Sequence, residues 1–377
     1  MTRKHWVVGL LTLACIGTAI GAVAASAAPK QQKLTNVTLQ LKWVTQAQFA
    51  GYYAALDKGY YKAAGLNVNI KIGGPSITPE LVVKGKQADF GIDWLPNLFA
   101  TREQKSGLVS VAQVFARSGM TELTWKKSGI TSIAKMRGKK VGVWCCGNQP
   151  ELFAALTKNG INPAKSSDVT IVNQPFDMSL FLKNQVDAAA AMTYNELAQV
   201  LESKNAKTGK LFTLKDINVL KMQNQGTGML EDGIFTTAGW LKDPKHTDIA
   251  KRFVAASLQG WAYCRDNASG CVGTVLQNGP TLGKGHQTWQ MNEINKLIWP
   301  SPKGIGILDQ AAWDATVKIA QGTKNLEAKT VLTKAPDAAA ANMTYAQKAV
   351  DELKKDKVDT DGAGFKAVTV TLAADGA

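Results

Sequence analysis

The chain predicts an α/β protein, because strand-like and helix-like stretches alternate along nearly all of it. Two observations carry this. Residues 39–70 read as strand, loop, helix and strand, and residues 135–161 repeat the strand-loop-helix order. No internal repeat of solenoid period is visible.

In the first unit Val37, Leu39 and Leu41 alternate with Thr38 and Gln40, the period of a half-buried strand, and Trp43 stands at its end. Ala54, Ala55 and Leu56 begin a helical stretch that Gly59 and Gly65 punctuate. Leu66, Val68 and Ile70 then alternate with Asn67, Asn69 and Lys71. Such a unit sets its first loop at the carboxyl edge of a sheet, where open α/β folds bind ligands. That loop carries Trp43, Gln46, Gln48, Phe49, Tyr52 and Tyr53. Flat rings and amides suit a small, planar, polar ligand; Tyr52 and Tyr53 are read as packing.

Pro79 is placed to start a helix. Residues 88–96 read as a buried strand ending in Asp93 and Trp94, 98–104 as a helix and 108–116 as a strand. Val141–Trp144 is the strand of the second unit, Gly147-Asn148-Gln149-Pro150 its turn, and the helix from Glu151 aims backbone N–H groups at that turn. A strand over 169–174, a helix over 176–185 and a strand over 186–192 follow. The next helix opens at Thr193, with Glu196 three residues on, the spacing of a capping box. Residues 222–237 read as a return crossing, and the stretch to Thr323 as α-rich. A helix over 343–356 and a short strand over 367–373 complete the chain.

The N-terminus pairs Arg3, Lys4 and His5 with a long apolar run that ends in Ala25-Ser26-Ala27. This is the pattern of an export signal over residues 1–27 with cleavage before Ala28. An uncleaved anchor is the competing reading, since the run is near bilayer length. Cys15 partly fits a lipid-attachment site, but Thr12 and the apolar sequence beyond it argue against one. About 350 residues remain after Ala28, enough for two lobes. The formal charge is +15; the segment before Ala28 carries Arg3 and Lys4 and no acid, which leaves +13. The lysines are scattered and no arginine-rich run appears, so the charge is read as surface rather than nucleic-acid binding. No nucleophile-base pair, phosphate loop or dinucleotide fingerprint is present.

The segments LKWVTQAQFAGYYAALDKGYY, AGLNV, ADFGIDW, GKKVGVW with its CGN turn, FDM, VDAAAAMTYNELAQVLE and EDGIF together resemble the family of thiamine-pyrimidine-precursor binding proteins. These bind hydroxymethyl- or formylaminopyrimidines. They are related to the eukaryotic thiamine pyrimidine synthases and, more distantly, to nitrate, sulfonate and taurine binding components of ABC importers. The resemblance covers nearly all of the chain after Ala28. It implies a type II periplasmic-binding-protein fold: two α/β lobes, residues 36–122 with 232–377 and residues 123–231, hinged over a cleft. It also implies an exported, monomeric receptor that hands a pyrimidine to an ABC permease, with no cofactor and no chemistry of its own. Riboflavin, a sulfonate, nitrate or another small solute is the alternative ligand. A synthase is the alternative activity; those enzymes consume a bound vitamin B6 cofactor and a histidine of their own chain.

Candidate ligand-binding residues follow. Trp43 is a ring platform or core, with Gln46 and Gln48 beside it to read a heterocycle's edges. Asp93 and Trp94 end a strand at the cleft edge; Asp93 accepts from a ligand amine or caps the following turn. Tyr194 and Glu196 resemble the family's ligand-holding segment on the second lobe, Tyr194 to stack and Glu196 to pair with aminopyrimidine N–H groups, with Asn195 turned away. Trp144, Cys146, Gly147 and Asn148 form the second-lobe loop with Cys145. The synthases use a cysteine-rich stretch near this place with iron. Two adjacent sulfurs make a poor metal site, so no metal is expected, and free side chains are preferred over a vicinal disulfide. Asp232 is a further candidate, or part of a hinge turn. His246 and His286 are assigned to surface segments, and the cleft segments carry no arginine. Cys264 and Cys271 flank a turn-like RDNASG and are expected to form a disulfide.

Overall fold

Ten strands sort into two five-stranded sheets in the computed structural model, which describes residues 33–377. They are β1 (Thr35–Gln40), β2 (Leu66–Lys71), β3 (Phe90–Trp94), β4 (Leu108–Gln113), β5 (Met120–Trp125), β6 (Lys140–Val143), β7 (Thr170–Asn173), β8 (Ala188–Met192), β9 (Ile217–Lys221) and β10 (Asp232–Thr237). The first sheet runs β2-β1-β3-β10-β4 and the second β7-β6-β8-β5-β9. The export-signal and lipid-site readings lie outside the described residues. Among the described residues no helix is long and apolar enough to cross a membrane.

In each sheet the early strands are parallel and one strand is reversed. β1 pairs in parallel with β2 and β3, and β10 enters antiparallel between β3 and β4. β6 pairs in parallel with β7 and β8, and β5 lies antiparallel to β8 and β9. Both reversed strands are the first reached after the chain crosses between sheets. Such a strand enters at the carboxyl edge of its neighbours and must run away from it. The first crossing ends before Met120, because Thr121 and Glu122 pair with β8 and β9. Residues 120–122, expected with the first lobe, therefore sit in the second sheet.

The loop after β1 is held from behind. The helix Ala50–Asp57 packs on the 23-residue helix Pro244–Asp266 at a close crossing. A Cβ on Gly260 would lie 2.0 Å from the Gly51 carbonyl, and one on Gly51 would lie 2.2 Å from the Trp261 ring. Only glycine permits that approach. Next to it Phe253 stacks between Tyr61 and Phe90.

Cys264 and Cys271 are bonded and buried. They join the end of Pro244–Asp266 to the helix Ala268–Asn278 rather than closing an isolated turn. The strand expected over 367–373 does not form. Val368 is 64% exposed there and its N–H goes to the Asn292 side chain instead of to a neighbouring strand.

Candidate functional site

The ends of β1, β3, β6 and β8 converge on one space of about 380 Å³, open solvent at its mouth included. From the first sheet it is lined by Lys42, Trp43, Gln46, Gln48 and Trp94; from the second by Trp144, Asn148, Met192, Tyr194, Asn195 and Glu196. The two sides touch over it. Trp43 meets Phe176 edge-on at 4.9 Å. Gly147 lies so close to Asn97 that a Cβ there would be 2.5 Å from Asn97 Oδ1.

On the first side Asp232, at the start of β10, organises the lining from behind. Its carboxylate accepts from Gln48 Nε2 at 2.8 Å and from Trp94 Nε1 at 3.0 Å, while Gln46 Nε2 donates to Gln48 Oε1 at 2.6 Å. Asp232 is thus a positioning residue rather than a hinge turn. Burial pushes it up to about 7, against the opposing pull of Gln48 and Lys42. Lys42 donates to Asp93, and its ammonium lies 4.8 Å from the Trp94 ring centre. Burial works against that ammonium, but the charge and hydrogen bond of Asp93 outweigh it and raise Lys42. Asp93 also accepts from Trp94 N at 2.6 Å and Asn97 Nδ2 at 3.1 Å.

On the second side the helix Glu196–Glu202 is capped at Asn195, two residues after the expected cap Thr193. Thr193 N–H is taken by Gly119 O at 2.9 Å, so no capping box forms. Glu196 instead accepts from Met192 N at 2.9 Å and from Asn195 Nδ2 at 2.7 Å. Burial pushes Glu196 up to about 7 against those two hydrogen bonds. Tyr194 is buried, its ring edge-on to Phe115 at 6.3 Å.

Of the expected residues, Trp43, Gln46, Gln48, Trp94, Trp144, Asn148, Tyr194 and Glu196 surround this one space. Asp93 and Cys146 line an adjoining one. Gly147 packs on Asn97. Asn195, expected to turn away, lines the pocket because it bridges Glu196 and His286. His286 Nε2 donates to Asn195 Oδ1 at 2.8 Å, and Nδ1 faces the Glu202 carboxylate at 3.0 Å. His286 is therefore not a surface residue: the helix Lys284–Ile298 carries it behind the pocket wall. Cys145 and Cys146 are bonded to each other, not free. Lys42 and Met192 were not among the expected residues: Lys42 follows the alternating strand β1, and Met192 ends the continuous apolar run of β8. Among the described residues no cluster of three or more His, Cys, Asp or Glu is placed to hold a metal ion.

The charges of the pocket are largely spent internally. Lys42 is bound to Asp93, no arginine lines the space, and burial pushes the one other charged group that lines it, Glu196, up to about 7, as it does Asp232 behind the wall. The arrangement offers aromatic faces and acceptors, and no unpaired cation.

A model of the family described as NMT1/THI5 like matches residues 46–269. The chain is 24% identical over 325 residues to the riboflavin-binding protein RibY of Chloroflexus aurantiacus, covering 81% of this chain and 88% of that one. It is 27% identical over 173 residues to a Haemophilus influenzae protein named for thiamine biosynthesis, covering 45% and 54%. It is 25% identical over 178 residues to the 4-amino-5-hydroxymethyl-2-methylpyrimidine phosphate synthase THI11 of Saccharomyces cerevisiae, covering 46% and 51%. The chain thus spans about half the length of the latter two relatives. Among solved structures, a Bordetella bronchiseptica RB50 protein superposes with a TM-score of 0.63 at 17% identity, covering 85% of this chain and 99% of that one. The periplasmic nitrate-binding protein NrtA of Synechocystis PCC 6803 gives 0.54 at 14%, covering 88% and 92%. These likenesses establish the fold as that of the periplasmic binding proteins.

Proposed function

The chain belongs to the NMT1/THI5-like family, and from that premise we propose that it is the exported substrate-binding component of an ABC importer. It captures a neutral aminopyrimidine related to thiamine biosynthesis between two lobes and passes it unaltered to a permease. The first lobe carries the sheet β2-β1-β3-β10-β4 and the second the sheet β7-β6-β8-β5-β9. The observation that carries this reading is the pocket's chemistry. Three tryptophans and a tyrosine supply flat faces, and Glu196 and the amides Gln46 and Gln48 supply edges. A flat ring with N–H donors satisfies them. A sulfonate or nitrate would want an arginine or several N–H donors; no arginine lines the pocket and Lys42 is already bound to Asp93.

A synthase would need a histidine presented to the pocket and a lysine free to hold an aldehyde cofactor. His286 stands behind Asn195 with both ring nitrogens engaged, and Lys42 is held in its ion pair. The residues at this site do not fit that chemistry. Riboflavin is the second ligand reading, favoured by RibY's coverage of 81% of this chain.

Titration calorimetry with 4-amino-5-hydroxymethyl-2-methylpyrimidine tests the assignment. Wild type binds it at one site. Glu196→Gln weakens it by about 10- to 100-fold, the loss of one charge-assisted hydrogen bond worth ~1.5–3 kcal/mol. Unchanged affinity in the variant removes Glu196 from the ligand.

A further inference from the structure

Glu196 is the inner end of a chain of polar side chains that runs from the pocket to the helix Lys284–Ile298. Asn195 Nδ2 donates to Glu196 at 2.7 Å. Asn195 Oδ1 meets His286 Nε2 at 2.8 Å, and His286 Nδ1 meets both Glu202 oxygens at 3.0 Å. Asn195, Glu196 and Glu202 are buried, and the His286 side chain is 14% exposed. The backbone of Gly376 closes over the outer pair. A Cβ there would lie 2.9 Å from His286 Cβ and 3.3 Å from Glu202 Oε2.

The helix that carries His286 is fixed to both sides of the cleft by its neighbours. Gln287 Oε1 accepts from Ala47 N, in the loop after β1, at 2.7 Å. Trp289 Nε1 donates to Thr193 O at 3.0 Å. The place of His286 therefore does not depend on the bonds its own ring makes.

Each link of the chain dictates the next. An ionised carboxylate only accepts. With Glu196 ionised, Asn195 turns its NH2 group to it and its oxygen to His286. That oxygen needs a proton on Nε2, and ionised Glu202 needs one on Nδ1. The ring that satisfies both is the imidazolium. A neutral ring would leave Nε2 and Asn195 Oδ1 as two facing acceptors, at a cost of ~1–3 kcal/mol. Turning Asn195 over repairs that contact only if Glu196 takes a proton and becomes a donor. The charge of His286 is accordingly among the forces that oppose burial at Glu196.

We propose that His286, paired with Glu202, is a positioning residue that fixes the Asn195 amide and so keeps Glu196 an acceptor, making the pocket select ligands whose edge donates over ligands whose edge accepts. The inference rests on the reading of Glu196 as a ligand contact and adds what sets its preference.

Two ligands and two variants test it by titration calorimetry at pH 7. The ligands are 4-amino-5-hydroxymethyl-2-methylpyrimidine and its 4-methoxy analogue, which has no N–H at that position. Wild type is expected to prefer the amine by about tenfold or more, the worth of one charge-assisted hydrogen bond. His286→Phe keeps a ring, removes both N–H groups and narrows the preference to within about threefold. His286→Gln, whose amide nitrogen reaches the place of Nε2, restores a preference at least about threefold above that of His286→Phe. Equal binding of the two ligands by wild type, an unchanged preference in His286→Phe, equal losses for both ligands, or a His286→Gln no better than His286→Phe overturns the proposal and leaves the ring reading standing. Failure of both ligands to bind wild type at millimolar concentration overturns the ring reading, and this inference with it. Should His286→Phe not fold, the nitrogen-15 spectrum of the wild-type amine complex decides, and the chain's three histidines keep it simple. Both His286 ring nitrogens carry protons there, or the proposal is wrong.

Discussion

Glu151 and Glu231 are two buried acids that no part of the pocket uses, and they hold the place where the chain crosses between sheets. Glu231 accepts from Gly119 N at 2.8 Å and Met120 N at 3.2 Å; Glu151 accepts from Ser118 Oγ at 2.6 Å and Met229 N at 3.0 Å. Both crossings and the helix Pro150–Lys158 are thereby tied together. Burial pushes Glu151 up to about 8, and burial with the neighbouring Glu151 and Asp232 charges holds Glu231 well above its ordinary value. A folded-state value above the unfolded one means the native state binds the extra proton. This contribution to stability is full below about pH 4.5 and is lost as pH rises through about 8. The unliganded protein is therefore expected to melt at a higher temperature at pH 5 than at pH 8, and Glu151→Gln to flatten that dependence. A variant with the wild-type profile would remove Glu151 from the account. None of this was legible in the sequence, because Ser118, Glu151 and Met229 come together only through topology. The same holds for Lys42 with Asp93, 51 positions apart, and for Asn195 with His286, 91 apart.

At the scale of elements, period-two alternation found β1 and β2, and apolar runs bounded by turn residues found β3, β4, β6, β7 and β8. These signals are local, so they survive without knowledge of the fold. The misread elements are the ones whose hydrogen bonds are decided elsewhere. Residues 367–373 alternate like a strand but have no sheet edge to join, and the helix expected from Thr193 starts at Glu196, the Thr193 N–H donating to Gly119 O instead. The loop from Trp43 to Phe49 owes its position to the Gly51–Gly260 crossing behind it, where the helix begins at Ala50 rather than at the expected Ala54. Gly260→Ala forces a methyl against a backbone carbonyl and is expected to cost about 1–3 kcal/mol. Urea unfolding measures that cost, and an unchanged midpoint would show that the crossing relaxes freely.

For the whole molecule, the loops that carry the site were visible as loops at strand ends, which is where an open α/β sheet presents them. Their convergence was not visible, since it depends on two sheets facing across a gap. That gap is spanned by Trp43 against Phe176 and by Gly147 against Asn97. A ligand stabilises such a closed form only through contacts made to both sides. In the proposed complex Trp43, Gln46, Gln48 and Trp94 on one side and Trp144, Tyr194 and Glu196 on the other would supply them. The central claim is that these two walls close on a neutral heterocycle and return it unchanged. Native mass spectrometry of the protein purified from its own cells tests this most directly. The account predicts a single bound small molecule that, on release, is an aminopyrimidine recovered at its original mass after prolonged incubation. A bound sulfonate or nitrate, or conversion of the released compound, would contradict it.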